Sequence, residues 1–458
     1  MFSAKSFLWA GALWAVATGP VASESLREAV RNALATYPDL ASARAEATAS
    51  VYEMLELERD FLPTVRLYGD AGAERVDDPS SLSVSDNDNT KFRRQLGVEA
   101  EFVLFDGYRR ANAVYANAAR ADGSILRLLD ASETLALNAT EVYIDVYRHL
   151  LLQASASRNL EAHRVLGQRV SDLVEGGRLP VSDHLQAMDR IRAAEIALVE
   201  VRQAGRDAEA RYERIVGHKR NGPLAVPSAS PLPRSLAALI DTAQRNSFRI
   251  QAATTEVNRT AYQKRIGMAD QKPRVSFNYG MSIGEDIGGA SGSQKDAYIG
   301  LRMDWIISQG GRVARERALI ERNSKALSER HMAIRELREM AERTWNSYLS
   351  NAETVRITTS QLDTIDQLVD QYDSEFEAGT RTLIDLLDAE RSRFSAEFAQ
   401  ISAQASLAFS GYRMLAAQSR LAAHFGVDPR GEALVADLEQ RALVKPTAVF
   451  NTQIPPLR

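Results

Sequence analysis

The sequence predicts a mainly helical chain with a membrane β-barrel part. Two observations predict it: four short stretches of strict alternation inside a chain that otherwise reads as long helices, and an order of elements that occurs twice. In Gln95–Leu104, Leu96, Val98, Ala100, Phe102 and Leu104 fall on one face of an extended strand, and Gln95, Gly97, Glu99 and Glu101 on the other. Thr64–Ala71 sets Val65, Leu67, Gly69 and Ala71 against Thr64, Arg66, Tyr68 and Asp70. Arg274–Ile283 sets Val275, Phe277, Tyr279, Met281 and Ile283 against Arg274, Ser276, Asn278 and Ser282. Ala297–Trp305 sets Ile299, Leu301, Met303 and Trp305 against Tyr298, Arg302 and Asp304. Segments of about ten residues, apolar on one face and polar on the other, are the pattern of a membrane barrel with a wet interior. The same pattern fits half-buried strands on a soluble core, and the rest of the chain decides between the two.

The 458 residues are enough for several domains or one elongated one. A net charge of −4 gives no electrostatic case for nucleic acid. The absence of cysteine excludes a disulfide framework, a thiol metal site and a lipid-anchored N-terminal cysteine. None of the six histidines stands at a metal-ligand spacing. No glycine loop cradles a phosphate, and Gly288–Ser293 lacks the strand-to-helix context of a nucleophile elbow. No enzyme, metal or cofactor is expected. Residues 1–23 read as a signal peptide: Lys5, the apolar run Phe7–Ala17, then small residues before Glu24. No later stretch is long enough for a transmembrane helix, so a membrane crossing requires a closed barrel.

Residues 24–61 read as one helix kinked at Pro38 and stopped by Pro63. Residues 74–90 form a polar loop, in which Asp86 and Asp88 do not complete a calcium site. Phe105-Asp106-Gly107 is a turn. Tyr108–Val174 carries Leu128, Leu135 and Val142 in a heptad seam, roughly 100 Å of helix at ~1.5 Å per residue. Glu175-Gly176-Gly177 breaks it, and Ser182–Val216 returns antiparallel. After a linker the order starts over. LREAVRNALATYPDLASA from Leu26 lines up with LAALIDTAQRNSFRIQAA from Leu236, and VEGGRLPVSDHLQA with FEAGTRTLIDLLDA. The expected division is therefore a signal peptide over 1–23, a first repeat over 24–226, a second over 227–427 and a tail over 428–458. The first repeat has strands near 64–72 and 92–104 and coiled-coil helices over 107–216. The second has strands near 274–283 and 296–305 and helices over 311–425, the long helix Arg312–Phe376 being followed by a return helix Leu383–Phe425.

Four strands leave two open edges, and single-chain barrels begin at eight strands. Copies of the chain must close them, a trimer giving twelve strands and a dimer eight. The polar faces, with Arg66, Glu99, Glu101, Arg302 and Asp304 as pore-lining residues, favour the wider trimer. The long helices exceed the ~30 Å hydrocarbon core and would project into an aqueous space.

These residues resemble the TolC family of outer-membrane channels of Gram-negative bacteria. The most specific stretch is Phe376 to Ala389, FEAGTRTLIDLLDA, which is similar to the family's turn at the periplasmic end of the second coiled coil. Phe105-Asp106-Gly107 resembles its barrel-to-helix junction. The resemblance implies a homotrimer in outer-membrane lipid whose helices cross the periplasm. It implies a passive duct serving an inner-membrane ABC or proton-driven pump through a periplasmic adaptor (a membrane fusion protein). It places Asp385 and Asp388 in an acidic constriction ring, and Arg381 and Asp183 in links that hold the tip closed. Phe376 stands where the family often has tyrosine, without the hydroxyl that would bond at the gate. Gly379, Thr380, Gly177 and Pro180 form the tip turns.

Asp385 and Asp388 are three apart and share a helix face. In a trimer that gives six confined carboxylates, which would pass cations and be blocked by multivalent ones. The first repeat has Asp183 in the place of Asp385 but Gln186 in that of Asp388. Capping explains part of the same pattern: Gly379 suits a left-handed helix end, Thr382 an N-cap, and Asp385 a first turn. The competing function is a periplasmic coiled-coil adaptor or scaffold, which should have a compact soluble β domain instead of four two-faced strands.

Overall fold

A computed structural model describes residues 24–77, 89–225, 227–229 and 231–428. The expected signal peptide, the loop aspartates Asp86 and Asp88, and the tail from 429 onward lie outside them. The first elements are α1 (Leu26–Thr36), α2 (Pro38–Arg59), β1 (Thr64–Arg75), β2 (Thr90–Phe105), α3 (Arg109–Glu175) and α4 (Val181–Val216). The same order follows in α5 (Leu236–Asn246), α6 (Phe248–Ala269), β3 (Arg274–Glu285), β4 (Ser293–Asp304), α7 (Arg312–Glu377) and α8 (Leu383–Ala417), and α9 (Leu421–His424) ends it. Among the described residues no helix is long and apolar enough to cross a membrane.

The helix expected over 24–61 with a kink at Pro38 is broken outright, and the corresponding stretch of the second repeat is broken too. The helix over 24–61 stops at Thr36, because Tyr37 is extended (φ −70°, ψ 124°) ahead of Pro38. The proline ring excludes helical backbone from the preceding residue and then starts α2. The second repeat breaks at Ser247 without a proline; its hydroxyl accepts from the Ile250 N–H at 3.2 Å and caps α6 instead. The return helix expected to reach Phe425 ends at Ala417, where Ser419 turns left-handed (φ 52°).

The chain forms two compact units. One, within 36–137, 231–349 and 412–458, holds the sheet. Its strands lie in the order β1-β2-β3-β4, antiparallel throughout. The register sets Arg66 opposite Glu99, Glu101 opposite Asn278, and Ser276 opposite Arg302. Gly97 of β2 lies under the Tyr68 ring of β1, and Gly280 of β3 under the Tyr298 ring of β4. A Cβ at either glycine would overlap the ring. The β3–β4 loop is held by the neighbouring strands: Lys91 Nζ donates to the Gly289 carbonyl at 2.6 Å, and Gly288 N–H to Glu74 at 2.8 Å.

The strand-to-helix junction is stapled by Arg110. Its guanidinium donates to Asp106 (2.9 Å), the Val103 carbonyl (2.7 Å) and the Asp60 carbonyl (3.1 Å), and it lies over the Phe61 ring. In the second repeat Asp270 takes Arg109 and Arg315. Elsewhere in this unit Leu239, Ala341 and Met414 pack together with Trp345 and Tyr348. The free N–H groups that open α9 are taken by Glu133, buried in α3, which accepts from Leu421 (2.8 Å) and Ala422 (3.1 Å).

The other unit, within 1–35, 138–230 and 350–411, is helical. Ala156, Leu160, Ala194 and Leu198 form one core, with Ile191 and Phe394 against it. α1 buries Ala29, Val30, Ala33 and Leu34 and opens on a capping box, Ser25 with Glu28. Glu24 is buried, and its carboxylate accepts from Tyr212 Oη at 2.6 Å and from the Asn221 N–H at 2.9 Å. Burial and the Glu24 carboxylate push the Tyr212 phenol far above its ordinary range, so it remains a donor.

Burial pushes the Glu133 carboxyl from 4.5 up to about 7, only partly offset by the Leu421 and Ala422 N–H donors. Its folded value lies above the unfolded one. Its favourable contribution is therefore full below 4.5 and is lost as pH rises through about 7. In thermal scans followed by tryptophan fluorescence, the midpoint of the wild type minus that of Glu133→Gln should fall as pH rises across this window. A difference independent of pH would remove Glu133 from the titration.

Candidate functional site: an exposed apolar sheet face and a charged helical tip

One face of the sheet is apolar and exposed. Val65, Leu67, Leu96, Met281, Ile283, Ile299, Leu301 and Met303 lie on it, and Ile299 and Leu301 are each 71% exposed. A face of this kind on a water-soluble monomer would be anomalous, since large contiguous apolar patches mark contact with lipid or protein. Trp305, Ile306 and Ile307 continue the exposed apolar surface just past β4. The opposite face is polar and paired. Arg66 meets Glu99 at 2.7 Å, Arg274 meets Glu101 at 3.0 Å, and Arg93 meets Asp70 at 3.1 Å. Arg66, Glu99, Glu101, Arg302 and Asp304 all stand on that polar face by register.

The tip of the helical unit is built from two turns with the same bonding. After α3, Gly177 is left-handed (φ 68°) and the Arg178 N–H reaches back to the Leu173 carbonyl at 2.8 Å. After α7, Gly379 is left-handed (φ 76°) and the Thr380 N–H reaches back to the Glu375 carbonyl at 2.9 Å. This is the helix-ending motif that glycine makes inexpensive. Pro180 then takes the N-cap position of α4 without a side-chain cap. α8 is capped by Thr382, whose hydroxyl accepts from the Asp385 N–H at 3.3 Å and donates to its carboxylate at 2.7 Å.

The hairpins are joined at the tip by a buried cluster of Leu166, Val170, Ala187, Phe376, Leu383, Leu386 and Leu387. Phe376 is therefore a core residue, with the Arg169 guanidinium 5.9 Å over its ring. Arg169 pairs with Asp373 at 2.6 Å and lies 3.8 Å from Glu377. The Asp373 contact holds the guanidinium above its ordinary pKa. Arg381 folds over Tyr372, pairs with Glu375 at 2.8 Å and reaches Asp385 at 3.8 Å. Within one chain it does not meet Asp183, which takes a hydrogen bond from Ser182 at 3.4 Å. Asp388 is 60% exposed and pairs with Arg190 at 3.1 Å. Arg110, Arg169 and Arg190 escaped the sequence reading, because an arginine on a long charged helix looks like any solvated one. Among the described residues no group of histidine, aspartate and glutamate is placed to hold a metal ion.

Residues 239–417 match the family model of the outer membrane efflux proteins. The outer membrane efflux protein BepC of Brucella suis is 24% identical over 336 residues, 72% of this chain and 72% of the relative. The alkaline protease secretion protein AprF of Pseudomonas aeruginosa is 23% identical over 360 residues, 75% of this chain and 71% of the relative. Among solved structures, the outer-membrane channel OprN superposes with a TM-score of 0.76 at 20% identity, covering 86% of this chain and 89% of that one. CusC gives 0.77 at 15% identity, covering 87% and 92%. VceC of Vibrio cholerae gives 0.74 at 17% identity, covering 86% and 96%. A two-faced antiparallel sheet together with duplicated long hairpins is the fold of these outer-membrane channels. Residues 239–417 thus resemble the outer membrane efflux proteins in sequence, and the chain as a whole shares the fold of these solved channels.

Removing the α8 cap should loosen the second tip turn by about 1 kcal/mol, the usual cost of losing a threonine N-cap. Thr382→Ala is expected to speed tryptic cleavage after Arg381 in the detergent-solubilised protein. An unchanged cleavage rate would show that the cluster around Phe376 holds the turn without it.

Proposed function

We propose that three copies of the chain close a twelve-stranded barrel in the outer membrane. The trimer forms the passive exit duct of a tripartite export system, with an inner-membrane pump and a periplasmic adaptor supplying energy and docking. The observation that carries this reading is the sheet. Its apolar face suits lipid, its polar face suits a water-filled lumen, and β1 and β4 each have one neighbour among the described strands. Cyclic closure pairs the margin of β1 with that of β4 on the next copy and leaves no edge. BepC is named for efflux and AprF for protease secretion, and a duct of this kind serves either cargo. The first test is fractionation. Heat-modifiable trimers in the outer-membrane fraction of a sucrose gradient are expected; a monomer in the periplasmic fraction would overturn the duct and favour an adaptor.

At the tip, Asp385 and Asp388 supply the acidic constriction ring, and Arg381, Asp183 and the core around Phe376 hold it closed. The turns through Gly177, Pro180, Gly379 and Thr380 set the distance of the ring from the end. Asp385→Ala with Asp388→Ala is expected to lower potassium-over-chloride selectivity in planar bilayers roughly threefold or more and to remove block by trivalent cations. Unchanged selectivity would dismiss the ring. Arg381→Ser with Asp183→Ala is expected to raise single-channel conductance, and wild-type conductance would take both residues out of the gate.

A further inference from the structure

Asp388 already has a counter-charge. Arg190 Nη2 donates to Asp388 Oδ1 at 3.1 Å, and the arginine side chain is only 30% exposed. The two project from different hairpins, Arg190 from α4 and Asp388 from α8. Superposing the two tip turns by their shared bonding pairs Asp183 with Asp385. It then sets Gln186 opposite Asp388 and Ser392 opposite Arg190. The acid is present only in the second repeat and the base only in the first. The two repeats differ at both of these positions, and the two charged residues meet. Asp385 is engaged differently, by the Thr382 hydroxyl and, at 3.8 Å, by Arg381. A carboxylate with a guanidinium at 3 Å presents far less field to a passing ion than a bare one.

We propose that Arg190 sets the ion selectivity of the tip by masking Asp388. The proposal rests on the ring reading above. With the hairpins together, the constriction carries three Asp388–Arg190 pairs instead of three free carboxylates. Any movement that separates α4 from α8 exposes the carboxylates, so opening and cation preference are coupled through one contact. The class of ligand concerned is the small or multivalent inorganic cation, which the masked tip attracts weakly and the unmasked tip strongly.

The test uses the full-length trimer in planar bilayers, with reversal potentials in a potassium chloride gradient and titration with hexamminecobalt. Arg190→Gln is expected to raise potassium-over-chloride selectivity roughly threefold and to strengthen trivalent block by a similar factor. Arg190→Lys, which keeps the charge, should behave as wild type, and Arg190→Gln in an Asp388→Asn background should have no effect on selectivity. If Arg190→Gln changes conductance but not selectivity, the arginine is only a mechanical tie and the masking role is overturned. If Arg190→Gln leaves selectivity unchanged while Asp385→Ala with Asp388→Ala lowers it, the ring stands and the masking role falls. If the double aspartate variant also leaves selectivity unchanged, the ring reading falls and the masking role with it.

Discussion

A four-stranded sheet with its apolar side chains turned outward is stable only where something other than water covers them. That constraint orders the rest of the molecule. In the proposed barrel lipid covers the face carrying Leu67, Met281, Ile299 and Leu301. Hydrocarbon offers no hydrogen bonds to the outer margins of β1 and β4, each of which has one neighbour among the described strands. The proposed closure by further copies supplies partners for those margins. The paired ions of the opposite face, Arg66 with Glu99 and Arg274 with Glu101, are at home against water and would be costly anywhere else.

The strands were legible because a period of two cannot be mistaken for a helix when both faces are consistently filled. The alternation in Gln95–Leu104 assigned Glu99 and Glu101 to one side, and the register with β1 and β3 puts them there. The strands run further than the alternation suggested: β1 continues to Arg75 and β2 begins at Thr90, because backbone pairing persists after the apolar signal fades. Helix breaks were half legible. Pro38 announces a discontinuity, but its strength, a full stop at Tyr37, depends on the residue before the ring. Ser247 announces nothing, since a serine reads as a cap only once the neighbouring helix is known to end there.

At the tip, motif and chemistry diverged. The glycines that turn the chain were legible as helix ends, and both adopt the left-handed conformation. In sequence Phe376 stands out for the hydroxyl it lacks, yet it is defined by what surrounds it, a packed cluster from four helices with a guanidinium above the ring. The partners of charged residues were not legible at all. Arg190 and Asp388 are far apart in the chain and on different hairpins, and no periodicity links them. Arg110 is similar: its acceptors at Asp60, Val103 and Asp106 converge only after strand and helix meet.

Tyr68 and Tyr298 sit on the two margin strands, and both rings lean inward over glycines of the inner strands. These two rings are thereby stowed above their own sheet. In the proposed trimer the two rings would line the lumen on either side of each join and leave the backbones of neighbouring subunits to meet.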